Sequence, residues 1–233
     1  MYKTGELVAQ RIESYCRTWR LWIENAEGII SGDSIMSADS STQATSLSDD
    51  IELGAVCSQS WNMTISDTET AFLGKEYDTY LYLVDYETSG ILADEKIPMG
   101  RFTCVKSKKS GGSVQLTMAD RLYFSDKPYV PHIPMPNWNK AVEDDICRQL
   151  GLQNGNDYTE VRLLRDKNGR RLIDKNGKVL YSKYFYFKVS SVPKDVTMRQ
   201  MLSYLASAQG QFGYVDRYGK YVRKWYGLSL IHI

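Results

Sequence analysis

Apolar residues first recur at helical spacing. Between Thr4 and Tyr15, the positions Leu7, Val8, Ile12, Tyr15 and Cys16 fall on one side, with Thr4 as N-cap and Glu6 in the first turn, which predicts a short amphipathic helix. The period then shortens to two. Trp19, Leu21 and Ile23 alternate with Arg20, Trp22 and Glu24, the pattern of a strand covering a core on one face. From Glu27 to Ser58 the chain is rich in Ser, Asp, Thr and Gly, with strand-like fragments over Ile29 to Met36, and part of it is expected to order only against a partner. Alternation returns at Trp61, Met63 and Ile65. Tyr77 to Tyr86 is apolar or aromatic on both faces and predicts a central strand. Ile97-Pro98-Met99-Gly100 predicts a turn into a strand from Phe102 to Val105, and Lys106 to Gly112 a solvated loop. Val114, Leu116 and Met118 complete an antiparallel pair.

Pro128, Pro131, Pro134 and Pro136 follow in rapid succession. Proline fixes φ and lacks the ladder donor, so neither helix nor central strand passes through, and a domain boundary is expected here. Beyond it Val142, Ile146, Cys147 and Leu150 define one helix face, closed by Gly151. Thr197 and Gln200 form a capping box for a second helix, with Val196 stapled to Met201. Its buried stripe is Met198, Met201, Leu202 and Leu205, and Gly210 ends it. Between the helices Tyr181 to Val189 reads as a strand with aromatic residues on both faces. Asp166-Lys167-Asn168-Gly169 recurs as Asp174-Lys175-Asn176-Gly177, and Asn-Gly suits the type I′ turn of a hairpin, so two stacked hairpins are predicted. A calcium loop is disfavoured, because neither copy has the oxygen spacing or the terminal Glu of an EF-hand.

Composition agrees with this reading. The chain has 233 residues, 42% hydrophobic, 24% charged and 12% aromatic, with 17 Tyr and 5 Trp, which excludes fibrous and disordered classes and favours strands. Lys plus Arg total 29 against 28 Asp plus Glu, so no global field draws the chain to nucleic acid or an anionic membrane. Cys16, Cys57, Cys104 and Cys147 lie too far apart for a zinc site. No signal peptide or membrane-length apolar run is present, and a reduced, cytosolically made protein is expected.

Candidate chemistry is sparse. His132 sits in the Pro-rich connector and His232 beside the last residue; no G-x-S-x-G elbow occurs, and Gly111-Gly112 belongs to a hairpin rather than a phosphate cradle. Asp49, Asp50, Glu143, Asp144 and Asp145 read as surface carboxylates, the last three favoured by a helix N-terminus. Lys106, Lys108, Lys109, Arg170-Arg171 and Arg223-Lys224 read as solvated loops or hairpins, and Trp19, Trp22, Trp61 and Trp138 first as packing residues. No catalytic, cofactor-binding or metal-binding residue is assigned and no cofactor is expected.

A resemblance adds to this reading. The N-terminal helix, the Arg17-to-Glu24 strand, Ile51-Glu52-Leu53-Gly54-Ala55-Val56-Cys57-Ser58, Ile97-Pro98-Met99-Gly100-Arg101-Phe102, Ala119-Asp120-Arg121 and Gly210-Gln211-Phe212-Gly213-Tyr214-Val215-Asp216-Arg217-Tyr218-Gly219-Lys220-Tyr221 follow in an order that resembles the N-terminal, hub-like region of siphophage and prophage tail proteins of Gram-positive hosts. Each motif alone is a strand with a turn; the ordered set, spanning nearly the whole chain, carries the likeness. The doubled Asp-Lys-Asn-Gly segment departs from the family pattern.

The resemblance implies a mainly β protein with an α+β insert: a helix and split β-barrel over residues 1–127, a connector over 128–138, an α+β domain over 139–212 and a hairpin returning to a barrel over 213–227. Residues 228–233 resemble a translated sequencing-adaptor remnant and are expected to be non-native, the rival being an apolar edge strand. The implied role is structural, in a phage tail tip or baseplate hub, with the virion tail as location after synthesis in the bacterial host cytoplasm. A homotrimer meeting distal-tail and tape-measure proteins is expected, through strand edges and the segment Ser31 to Asp50, without sequence-specific nucleic acid and without membrane insertion. Two rival readings are the non-catalytic front of a tail-associated peptidoglycan hydrolase or endopeptidase, and a carbohydrate-binding β-module stacking sugars on Trp22, Trp61 or Trp138.

Overall fold

The computed structural model describes residues 18–30, 33–41, 53–66, 71–84, 96–158, 162–163, 166, 168, 170–177, 179, 181–182 and 186–225. The predicted N-terminal helix, the carboxylates Asp49 and Asp50, His232 and residues 228–233 lie outside them. The chain divides into two compact units, one made of Met1–Ala44, Ser58–Tyr123 and Val215–Lys220, the other of Thr45–Cys57, Phe124–Tyr214 and Tyr221–Ile233. The fold class is the expected one, mainly β with a smaller α+β part.

In chain order the first elements are β1 (Thr18–Asn25), β2 (Gly28–Ile30), β3 (Ile35–Ser41), β4 (Val56–Cys57), β5 (Ser60–Ile65), β6 (Glu76–Val84), β7 (Ile97–Ser110) and β8 (Ser113–Ala119). All but β4 form one sheet in the order β2-β1-β6-β7-β8-β5-β3. Each pairing is antiparallel, and among the described residues this sheet is open, ending on β2 and β3. Period-two alternation decides which face is covered: Leu21, Ile23, Met63, Ile65, Val114, Leu116 and Met118 turn inward with Phe72, Tyr77, Phe102 and Cys104, while Gln115 is exposed. Burying each large side chain of this set stabilises the unit by about 1.5–3 kcal/mol.

Three expectations change here. Ile97 to Gly100 is strand, not turn; a register shift opposite Thr79 and Tyr80 lets the sheet accommodate Pro98, which has no N–H to give. Lys106 to Ser110 continues β7 in register with β8, so the loop shrinks to the two residues Gly111-Gly112. Part of the polar segment expected to wait for a partner, Ile35 to Ser41, is β3, laddered to β5 from Ile35↔Ile65 to Ser41↔Ser60.

The second unit contains β9 (Asn137–Trp138), helix α1 (Asn139–Leu150), β10 (Gln153–Asn154), β11 (Arg162–Leu163), β12 (Tyr181–Ser182), β13 (Lys188–Val189) and helix α2 (Met198–Ser207). The strands β14 (Gln211–Val215) and β15 (Lys220–Trp225) complete the chain order, in a four-stranded sheet β10-β15-β14-β4. Both helices bury the stripes their sequences predict, and the Thr197–Gln200 capping box is closed in both directions. Gly151 ends α1 at φ 69°, turning its N–H to the carbonyls of Arg148 and Cys147. Of the expected strand from Tyr181 to Val189, the described residues carry β12 and β13; just before β13, Asn139 at the start of α1 donates to the Phe187 carbonyl and accepts from its N–H.

The second Asp-Lys-Asn-Gly segment is a turn of a different type from the one predicted. Asp174 Oδ1 accepts from Asn176 N, the Gly177 N–H closes on the Asp174 carbonyl at 3.0 Å, and only Gly177 takes positive φ, 75°. This is a type I turn followed by a left-handed glycine, not type I′. Asp166 binds the N–H groups of Asn168 and Arg170 in the same way. Asp216-Arg217-Tyr218-Gly219 is a third copy, its carboxylate accepting from Tyr218 and Lys220. The carboxylate at the first position and the glycine at the fourth define this turn; the Asn does not.

Candidate functional site: two buried polar centres

In the first unit the polar centre is Asp120, where β8 gives way to the 3-10 helix Arg121–Asp126. Its side chain is buried. Oδ1 accepts from Ser58 Oγ at 2.7 Å and Leu122 N at 3.0 Å, and Oδ2 accepts from Gln59 N at 2.8 Å. The Asp120 N–H returns a bond to the Gln59 carbonyl, and Gln59 Nε2 reaches Val215 O at 3.3 Å. Burial pushes the Asp120 carboxyl above the usual carboxylate range, and the donors from Gln59, Ser58, Leu122 and Tyr123 hold part of that shift back. One carboxylate thus clasps the segments on either side of it, and Gln59 carries the connection to a third.

In the second unit the centre is an ion pair. Arg223 Nε lies 3.0 Å from Glu143 Oε2, with side chains 1% and 0% exposed. The contact is Coulombic rather than directional, since neither atom finds a well-aligned hydrogen-bond partner there. The remaining donors of Arg223 are used: Nη1 serves Gln211 Oε1 and the Leu205 carbonyl, and Nη2 serves Tyr158 Oη. Asn156 donates to Glu143 and accepts from Arg223 N. Burial raises the Glu143 carboxyl and the Arg223 charge pulls it back, whereas the carboxylate lifts Arg223 above its ordinary value against the effect of desolvation. Tyr158 and Tyr221, buried beside the pair, are both raised, first by desolvation and then by the Glu143 charge. The pair joins α1 to β15 with every charged atom away from solvent. Its chemistry is cross-linking.

These placements correct two sequence readings. Glu143 and Asp145 are not surface carboxylates; both side chains are fully buried, and Asp145 Oδ2 accepts from Tyr129 Oη, His132 N and Gln149 Nε2, pinning the Pro-rich run to α1. Arg223 is not a solvated hairpin residue. The signal was present: Glu143 sits four residues before Cys147 on the apolar stripe, and Arg223 alternates in phase with Tyr221, the strand position that faces the core. Ser58 and Asp120 each fall in a motif of the resemblance, but their pairing, between residues 62 positions apart, shows only in the structure.

The other candidates scatter. His132 is exposed, and Lys106, Lys108 and Lys109 are exposed along β7. Trp22 and Trp61 are half-buried, packed edge-on to Tyr82 and Phe102, as the packing reading expects, but Trp138 is 48% exposed. Cys57, Cys104 and Cys147 are buried and form no disulfide among the described residues. Among the described residues no three His, Cys, Asp or Glu side chains gather as metal ligands, and no helix is long and apolar enough to cross a membrane. A cleft of about 230 Å³ beside β2, lined by Asn25, Glu27, Ile29, Phe72, Lys75 and Tyr77, contains the Glu27–Lys75 ion pair.

No protein-family model matches the chain, and no curated protein matches it. Among solved structures the chain is similar to the crystal structure of the 43 kDa tail protein of prophage MuSo2 from Shewanella oneidensis, at 9% sequence identity and a TM-score of 0.48. The match covers 90% of this chain and 56% of that one, so the chain spans a little over half the length of that tail protein.

Proposed function

We propose that this protein is a structural component of a phage or prophage tail tip or baseplate hub, assembling as a homotrimeric ring that joins the tail tube to distal tail parts. The observation that carries the reading is where the family-like motifs meet. Ala119-Asp120-Arg121 supplies the clasping carboxylate, the segment ending at Ser58 supplies a hydroxyl donor, and Val215, within the Gly210-to-Tyr221 motif, accepts from Gln59 next to it. Three motifs distant in sequence share one task, holding chain segments in place, and that is the requirement of a scaffold rather than of a reaction centre. The open sheet supports the same reading: β2 and β3 end the strand order among the described residues, and sheet edges are the elements through which β proteins pair with neighbours.

Partners follow from the role: other copies of the chain, a distal-tail protein and a tape-measure protein. Light scattering coupled to size-exclusion chromatography at micromolar concentration tests it. A trimer is expected, or a monomer that assembles once the distal-tail protein is added. A monomer indifferent to both the distal-tail and the tape-measure proteins overturns the proposal.

A further inference from the structure

A row of aromatic rings runs from the surface of the second unit to its buried ion pair. Trp138 and Tyr186, 48% and 43% exposed, meet at 6.3 Å and 89°, so one ring stands as a wall against the other. Tyr186 lies 5.7 Å from Tyr158, and Tyr158 is buried and receives a hydrogen bond from Arg223. The backbone fixes the outer end as well, because Trp138 pairs with Lys188 across β9 and β13. Lys188 Nζ lies 5.5 Å from the Trp138 ring centroid, and Lys140 Nζ the same distance from that of Tyr158. Two large aromatic side chains are therefore left half in water, and cations border the row. Trp and Tyr carry much contact area on few rotatable bonds, so a surface pre-set in this way loses little entropy when something stacks on it.

We infer that Trp138, Tyr186 and Lys188 form a binding ledge for an acidic sugar, a pyranose ring bearing a carboxylate or phosphate. The ring would stack its C–H face on the indole and turn its anionic group to Lys188. The occupant follows from the two chemistries that the ledge places within the span of one sugar residue: an electron-rich flat face takes a ring without net apolar character, and the adjoining ammonium selects for negative charge. Recognition by a lysine acts as a point charge and does not demand the paired geometry of a bidentate carboxylate site. This inference stands on the ledge's own geometry, and it holds or fails whether or not the chain builds a tail.

The test is titration of the whole chain with hexagalacturonate, for the carboxylate, and pentamannosyl phosphate, for the phosphate, followed by calorimetry and by the indole N–H signals in NMR. Maltohexaose serves as the neutral sugar and poly-L-glutamate as an anion without a ring. At least one acidic sugar is expected to bind and to move the Trp138 indole signal, with Trp138→Ala weakening it by about tenfold or more and Lys188→Gln by a few-fold while flattening its salt dependence. Lys188→Gln leaves the aromatic row in place, so its result is readable even if Trp138→Ala unfolds. Absence of binding by both acidic sugars at millimolar concentration overturns the inference. So does equal binding of poly-L-glutamate, which would assign the ledge to an acidic protein segment, or self-association that Trp138→Ala abolishes, which would assign it to a second copy of the chain.

Discussion

Arg223→Met isolates the energetics of the buried pair. The substitution keeps the length of the side chain but removes the charge facing Glu143, whose carboxylate is 0% exposed. An uncompensated buried charge typically destabilises by about 3–5 kcal/mol. Gln211 Oε1 and the Leu205 carbonyl also lose the donor Nη1. In the double variant Glu143→Leu with Arg223→Met, the stranded charge disappears and only the orphaned polar partners remain, about 1–3 kcal/mol for each such group, against a gain of about 1–4 kcal/mol from replacing an ion pair by apolar contact. The double variant is thus expected to be more stable than Arg223→Met alone by at least about 2 kcal/mol. Urea unfolding followed by far-UV circular dichroism measures this, and for a chain of this size the single variant should melt about 6 °C or more below the parent. The pH dependence has a definite sign. Without the arginine the folded-state pKa of Glu143 rises further above its unfolded value, so stability is retained at acid pH and lost as pH rises through the folded value; the deficit of Arg223→Met should be smaller at pH 4 than at pH 8. A deficit below about 1 kcal/mol, or single effects that simply add in the double variant, would refute the pairing argument.

Three further outcomes are expected. Gly213→Ala places a methyl 2.3 Å from Tyr221 Oη, which the sheet cannot relieve without moving a fully buried ring, and it should destabilise by about 1–3 kcal/mol or more in thermal unfolding. Asp120→Asn turns one accepting oxygen into a donor facing either Ser58 Oγ or the Gln59 N–H and should destabilise by about 1–3 kcal/mol. Since the folded carboxyl titrates above its unfolded value, the parent loses stability as pH rises through that range and the variant does not, which denaturant midpoints between pH 4 and 7 can compare. Asp216→Ala removes the acceptor of two turn amides, so hydrogen exchange at Tyr218 and Lys220 should accelerate while Tyr129, far along the chain and bonded to Val196, keeps its protection.

Much of this molecule is local and could be read directly. The capping box at Thr197, the glycine stop at Gly151 and the alternation of Val114, Leu116 and Met118 each depend on neighbours a few positions away, and the structure places all three as the pattern implies. Local rules erred where a longer partner overrode them. Pro98 sits in a strand because β7 itself carries one extra residue, Met99, between the partners of Thr79 and Tyr80. Asn168 and Asn176 drew attention as turn formers, while the aspartates before them were the residues that set the turn.

The sequence by itself determined the fold class, the faces of the helices and most strands, since periodicity is a property of consecutive residues and burial follows it. Tertiary structure alone decided which partner each inward-facing charge meets. Whether Glu143, Asp145 or Asp120 meets water depends on Arg223, Tyr129 and Ser58, partners 80, 16 and 62 positions away, and the sign of a charge on an apolar stripe says nothing about who will neutralise it. The same holds for Trp138: its composition marks it for a core, and only the packing of β9 against β13 leaves its ring half in solvent beside a lysine.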